Sequence, residues 1–155
     1  MGSKQWMVLV VGGVCGLSVL AASRADAQSA RDPCALVTQA QVTSALGAKV
    51  DPGQPIGKTG CQWSTDQKAK TGHVMVTLSI WDENKWFSHK STPGIPMKPA
   101  SGIGDDAYFA TLGDLTSLHV KKGKSTLDLR VYGLHDTTKQ EEIERSVAKD
   151  ALARW

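Results

Sequence analysis

The sequence predicts an α+β domain: an antiparallel sheet of about five strands, packed by an N-terminal and a C-terminal helix, with one short central helix. Segments of period-two alternation follow one another through short turns, which suits hairpins. The two segments with helical spacing and capping signals lie towards the ends. Proline and glycine concentrate in the stretches between them.

The first 27 residues read as a signal peptide outside the fold. Lys4 supplies the positive start, and Met7 to Leu20 forms an apolar run broken by Gly and Ser. Ala25-Asp26-Ala27 places small residues where a signal peptidase reads them, with Gln28 as the new N-terminus. The run is shorter than the roughly 20 residues that span a bilayer, so no stable membrane insertion is expected after cleavage. Val14 before Cys15, and an apolar run that continues past it, argue against lipidation. The chain is then expected to be periplasmic or secreted, with residues 28–155 forming a single domain. The whole chain carries a formal charge of +3. That balance is too weak to argue for nucleic acid or an anionic membrane.

Removing the signal leaves two cysteines, Cys34 and Cys61. In an exported protein an even count reads as a disulfide. With no C-x-x-C spacing and no histidine near either in sequence, a disulfide is favoured over a metal or redox pair. Closing this loop stabilises the fold by about 3 kcal/mol.

Residues 28–33 read as a flexible lead. A helix over Gln39 to Leu46 follows, with Thr38 and Gln41 as a capping box, Val37 and Val42 as a hydrophobic staple, and Gly47 as terminator. "DPGQPIGKTG" (51–60) reads as loop, "CQWST" as a short strand, and "DQKAKTG" as a polar connection. "HVMVTLSIW" is the strongest strand, with Val74, Val76, Leu78 and Ile80 on one face. "DENKWFSHK" suits a short helix, because acidic and amide side chains at its start complement the dipole. Pro93, Pro96 and Pro99 exclude regular structure through "STPGIPMKPA".

In "SGIGDDAYFA", Gly102, Gly104, Asp105 and Asp106 read as a structural turn leading into a strand at Ala107. "LTSLHV" and "STLDLRVYG" are strands joined at Lys121-Lys122-Gly123-Lys124, a solvated hairpin tip. In the second, Leu127, Leu129 and Val131 alternate with Asp128, Arg130 and Tyr132, as in a sheet with one covered face. A last helix starts from a capping box of Thr138 and Glu141. Ile143, Val147 and Ala151 form its apolar stripe, and Glu144 is assigned to the wet side with Lys139, Glu142, Arg145 and Lys149.

Catalytic patterns are missing. His73, His89, His119 and His135 show no metal-ligand spacing, so no metal or cofactor is expected. His119 alternates with Leu118 and Val120 and points away from their face. No G-x-S-x-G elbow is present. Asp105 and Asp106 are adjacent at the start of a strand, so they point to opposite sides and are poorly placed to share a substrate atom. Aromatic residues are flat anchors for ligands as well as core fillers. Trp86 and Phe87 are neighbours on the short helix, so one of them is expected at the surface. A binding surface, if there is one, is expected between that helix and the 93–100 loop, at Trp86, Phe87 and Pro96.

"DPCALVTQAQVTSALG", then "CQW", "GIGDDAY", a Lys-Gly hairpin and "AKDALARW", resemble in order a widespread bacterial family of secreted and lipoprotein domains of unknown function. The likeness covers most of residues 32–155. It implies a Cys34–Cys61 bridge and a compact α+β fold, and it implies no activity. The sequence thus leans to an exported, non-enzymatic module that binds a protein, envelope component or small ligand. The alternatives are an envelope hydrolase using Asp105 and Asp106 with a histidine such as His119, and an inhibitor acting through the Pro93–Pro99 loop.

Overall fold

A computed structural model describes residues 31–68 and 72–155. The segment read as a signal peptide, Cys15 and the middle of the 66–72 connection lie outside the described residues. The fold is α+β with a seven-stranded antiparallel sheet, not one of about five strands. In chain order the elements are α1 (Pro33–Leu36), α2 (Gln39–Leu46), β1 (Gln54–Ile56), β2 (Gly60–Ser64), β3 (Met75–Asp82), α3 (Glu83–Lys90), β4 (Met97–Pro99), β5 (Asp106–Leu112), β6 (Leu115–Lys122), β7 (Ser125–Tyr132) and α4 (Thr137–Leu152). The strands lie in the order β1-β2-β3-β7-β6-β5-β4. Among the described residues no helix is long and apolar enough to cross a membrane.

The two extra strands are the sheet's edges. Both were expected to be irregular because of their prolines: β1 contains Pro55 and β4 ends at Pro99. An outer strand is bonded along one side only, so proline is tolerated there, and short proline-bearing edges discourage sheet-to-sheet association. Residues 31–33, the described end of the expected flexible lead, are held in place. Asp32 caps α1 by accepting from the Cys34 N–H, and the Arg31 guanidinium sits 4.5 Å over the Trp155 ring.

α2 has the predicted bounds. Thr38 Oγ1 accepts from the Gln41 N–H, and the Gln41 side chain accepts from the Thr38 N–H. Gly47 closes the helix at φ +72°, and its N–H reaches Thr43 O. The staple residues Val37 and Val42 are both buried. Cys34 and Cys61 are bridged, with Cα atoms 5.1 Å apart, so α1 is covalently tied to β2.

One row across the sheet defines the core face: Cys61, Leu78, Leu129, Leu118 and Phe109 are paired in succession from β2 to β5. All five are fully buried on the face covered by α1 and α4, with α2 packed on α4. α4 presents Ile143, Val147 and Ala151 to this face, as its period requires. Its cap is Asp136, not Thr138: the Asp136 carboxylate accepts from the Lys139 N–H, and Glu141 pairs with Lys98.

Glu144, expected on the wet side, is fully buried. Its carboxyl meets Thr116 Oγ1 and accepts from the Val131 N–H. Gln140 beside it accepts from the Thr116 N–H and donates to the carbonyls of Asp114 and Leu134. Burial pushes the Glu144 carboxyl up to about 8, against the lowering pull of those hydrogen bonds. A neutral Glu144 also fits the proton count. The hydroxyl of Thr116 has one hydrogen, and Gln140 Oε1 lies nearest to it at 2.9 Å. A protonated Glu144 can then donate to Thr116.

Candidate functional site

The second face of the sheet carries the polar alternates, and it is not left open. α3 follows β3 without a loop, because Asp82 ends the strand and caps the helix by accepting from the Asn84 N–H. The helix therefore folds straight back over β3, β7 and β6. Trp86 is buried beneath it, edge-on to Tyr108 with ring centroids 5.0 Å apart. Phe87 is 56% exposed, with Lys121 Nζ 5.2 Å from its ring centre. Trp86 is thus a packing residue on this face, and Phe87 is its exposed neighbour.

Register sets the polar row under α3. The β6–β7 hairpin turns at Gly123 and Lys124, with Gly123 at φ +59° as the first turn residue suits a II′ geometry. Counting back along both strands from the Lys122–Ser125 pair places His119 opposite Asp128. Tyr108 lies opposite His119 on the other side and stacks on it, with centroids 4.9 Å apart. Arg130, one step along β7 on the same face, reaches Asp128 Oδ2 at 3.2 Å.

α3 adds His89, whose Nδ1 lies 3.3 Å from His119 Nδ1. His119 Nδ1 also lies 3.0 Å from Asp128 Oδ1. That oxygen is buried and accepts no aligned hydrogen bond among the described residues; nor does the Tyr108 hydroxyl find a partner. Burial draws His119 down to about 4, which outweighs the raising effect of Asp128 and is helped by His89 and Arg130. Near neutral pH its ring is uncharged. Burial and the nearby Asp128 and Asp106 push Tyr108 up to about 12, so it keeps its proton.

A cleft of about 200 Å³ opens beside this cluster, between the C-terminal end of α3, the 91–96 turn and the sheet. Ile95, Ala110, Leu112 and Leu115 form its apolar side; His89, His119 and Arg130 form its polar side. A second hollow of about 280 Å³ lies across Arg130, with Trp81, Asp128 and Tyr132 on its wall. Arg130 is shared by both.

This is the region between α3 and the 93–100 loop, but the residues expected there are arranged otherwise. Trp86 is buried, Phe87 points outward, and Pro96 is held by its carbonyl, which accepts from the Thr111 N–H. Ile95 faces the cleft instead.

The turn residues act locally. Gly104 has φ +61°, and a Cβ there would lie 2.5 Å from both Lys121 O and Val120 Cγ1. Gly102 also has positive φ, at +78°, in open space. Asp105 accepts from the Gly123 N–H at 2.7 Å and pairs with Lys122, which together hold its carboxyl below the usual range. Asp106 pairs with Lys90 of α3. The two residues do border a shallow hollow of about 170 Å³ formed by the 99–107 loop. Their carboxylates nevertheless serve different partners: one braces the hairpin tip, the other anchors α3.

Sequence spacing did not reveal the His89, His119, Asp128 and Arg130 grouping. Half of it was within reach. The Lys-Gly hairpin with a two-residue turn already implies that His119 faces Asp128. His89 arrives only through the packing of α3. No protein-family model, curated protein or solved structure matches the chain.

Proposed function

We propose that this chain is an exported, non-enzymatic binding module whose ligand is a small molecule with a short apolar body and an anionic group. The carrying observation is the cleft beside α3. One wall is aliphatic, and the other converges Arg130 and two imidazoles on the same opening. Binding sites of this kind combine a mostly apolar lining with a few placed polar groups. The volume suits a ligand of a few heavy atoms. The basic signal segment with its small-residue cleavage site supports export to the periplasm or beyond, as does the cysteine bridge. The ordered motif likeness to secreted bacterial domains supports the same placement.

The hydrolase reading draws little support, since Asp105 and Asp106 are each engaged by a lysine. The inhibitor reading has less free chain than the prolines suggested. Residues 97–99 belong to the sheet, and Lys98 is paired with Glu141.

The test is a panel of short-chain carboxylates and phosphate monoesters, followed by NMR in the presence of a chelator. The expected result is shift changes clustered at Ile95, Ala110 and Leu115, abolished by filling the cleft with Ala110→Phe. A folded protein with no such perturbation at millimolar ligand would remove this reading.

A further inference from the structure

We propose that His89, His119 and Asp128 form a binding site for a divalent transition-metal cation of the zinc–copper class, with a coordination position open to the neighbouring cleft. The site shares a wall with the proposed ligand cleft but does not depend on it, and the probe is the metal alone.

The geometry comes first. One ligand atom from each of the three residues lies within 4.8 Å of the other two. Two of the separations are 3.3 Å, between the His89 and His119 Nδ1 atoms, and 3.0 Å, between His119 Nδ1 and Asp128 Oδ1. Ligands at about 2.0–2.1 Å from a tetrahedral zinc ion stand roughly 3.3 Å apart. The cluster already has that spacing along two edges.

Proton counting gives an independent reason. His119 Nδ1 faces two groups at once. If it carries a hydrogen, that hydrogen is not aligned with Asp128 Oδ1 despite the 3.0 Å separation, and the carboxylate oxygen stays without a donor. If it carries none, it can accept from His89, and its lone pair then faces a carboxylate oxygen at 3.0 Å. Asp128 Oδ1 is buried, on a side chain only 7% exposed, and receives no aligned hydrogen bond. No placement of one proton satisfies all three atoms. A cation among them does, because each then turns a lone pair towards positive charge.

The surroundings also fit. Arg130 holds the other carboxylate oxygen, Asp128 Oδ2, and so fixes the orientation of the ligand oxygen. Tyr108 stacks against the His119 ring and limits its rotation. The donor set chooses the metal. Two imidazoles and one carboxylate suit zinc or copper, whereas calcium and magnesium require mostly oxygen ligands. The positive charge of Arg130 works against affinity, so binding is expected to be weaker than at a closed structural zinc site. His89 and His119 both border the cleft, so water or an anion from the cleft would complete the coordination.

The experiment is titration of the oxidised protein with ZnCl₂ by calorimetry, in parallel with long-range ¹H–¹⁵N spectra of the histidine rings. The expected result is a single equivalent bound, with Nδ1 resonances of His89 and His119 shifting together. His89→Ala, at a half-buried position on a short helix, should weaken binding by about ten-fold or more. His135→Ala should leave binding unchanged; it removes the exposed pair of His135 with Asp114, the obvious adventitious site. No heat and no ring shifts at millimolar zinc would overturn the proposal. So would shifts confined to His73 or His135, or binding lost with His135→Ala and kept with His89→Ala. The spectra of the unsubstituted protein decide the matter even if a variant fails to fold.

Discussion

His119 and Asp128 face each other directly across the β6–β7 ladder, on the side of the sheet roofed by α3, with Nδ1 and Oδ1 3.0 Å apart. A buried carboxylate there needs a cation, and Arg130 is the one that reaches it, at 3.2 Å. Arg130 is itself about one-third exposed, so solvent screens part of the pair. Arg130→Ala is expected to destabilise the protein by about 1–3 kcal/mol, because it leaves the Asp128 charge without its partner. In the Asp128→Asn background the same change should cost less. A double-mutant cycle by urea denaturation measures the difference, and strict additivity would show that the pair is not coupled.

Glu144 gives the fold a pH dependence of definite sign. Its folded value is raised to about 8 from an ordinary 4.5. The folded state therefore holds a proton that the unfolded chain releases between those values. The stabilisation is fully present below about 4.5 and is lost as pH rises towards 8. Glu144→Gln keeps the shape and a donor for Thr116, with no charge to bury. The variant should match the unsubstituted protein near pH 4 and melt higher than it near pH 8. Parallel melting curves at the two pH values check this, and a constant difference between the proteins would exclude a titrating Glu144.

The Cys34–Cys61 bridge fastens α1 to β2 across a sequence separation of 27. Opening it frees the unfolded chain more than it alters the folded one. Replacing both cysteines by alanine should cost about 2–5 kcal/mol, read as a lower urea midpoint. Because Cys61 sits in the core row between Pro55 and Leu78, part of that loss will be packing.

Trp86 and Phe87 provide a contrast between adjacent positions. Trp86 is 3% exposed beneath α3, and Phe87 is 56% exposed. Trp86→Ala should cost about 3–5 kcal/mol and loosen the roof over His119. Phe87→Ala should stay within about 0.5 kcal/mol. Thermal denaturation of the two variants side by side tests this, and comparable losses would mean that Phe87 is covered in solution.

Much of the architecture was legible in the residues because its signals are short-range. Thr38, Gln41 and Gly47 bound α2 through hydrogen bonds that span three or four positions. Asp82 starts α3 through a bond two positions long, from the Asn84 N–H. Alternation in β3 and β7 divides their side chains between two faces whatever surrounds them, and Cys34 and Cys61, the two cysteines of the described residues, are bridged as expected. The edge strands were hidden because proline is penalised inside a sheet and tolerated at its border, and sequence alone does not say where the border falls. Glu144 was misplaced because a helical wheel orders residues around an axis without showing how wide the covered sector is. Thr116 on β6 widens that sector by offering the carboxyl a partner.

The residues themselves determined where α2 begins and ends and which side chains share a strand face, since both rest on local backbone geometry, and the described residues hold only two cysteines to join. Only the tertiary structure decided that His89 meets His119 and Asp128. That meeting requires α3 to fold back over the polar side of the sheet. The choice of side is made by the burial of Trp86 against Tyr108, a contact between distant segments that no local spacing encodes.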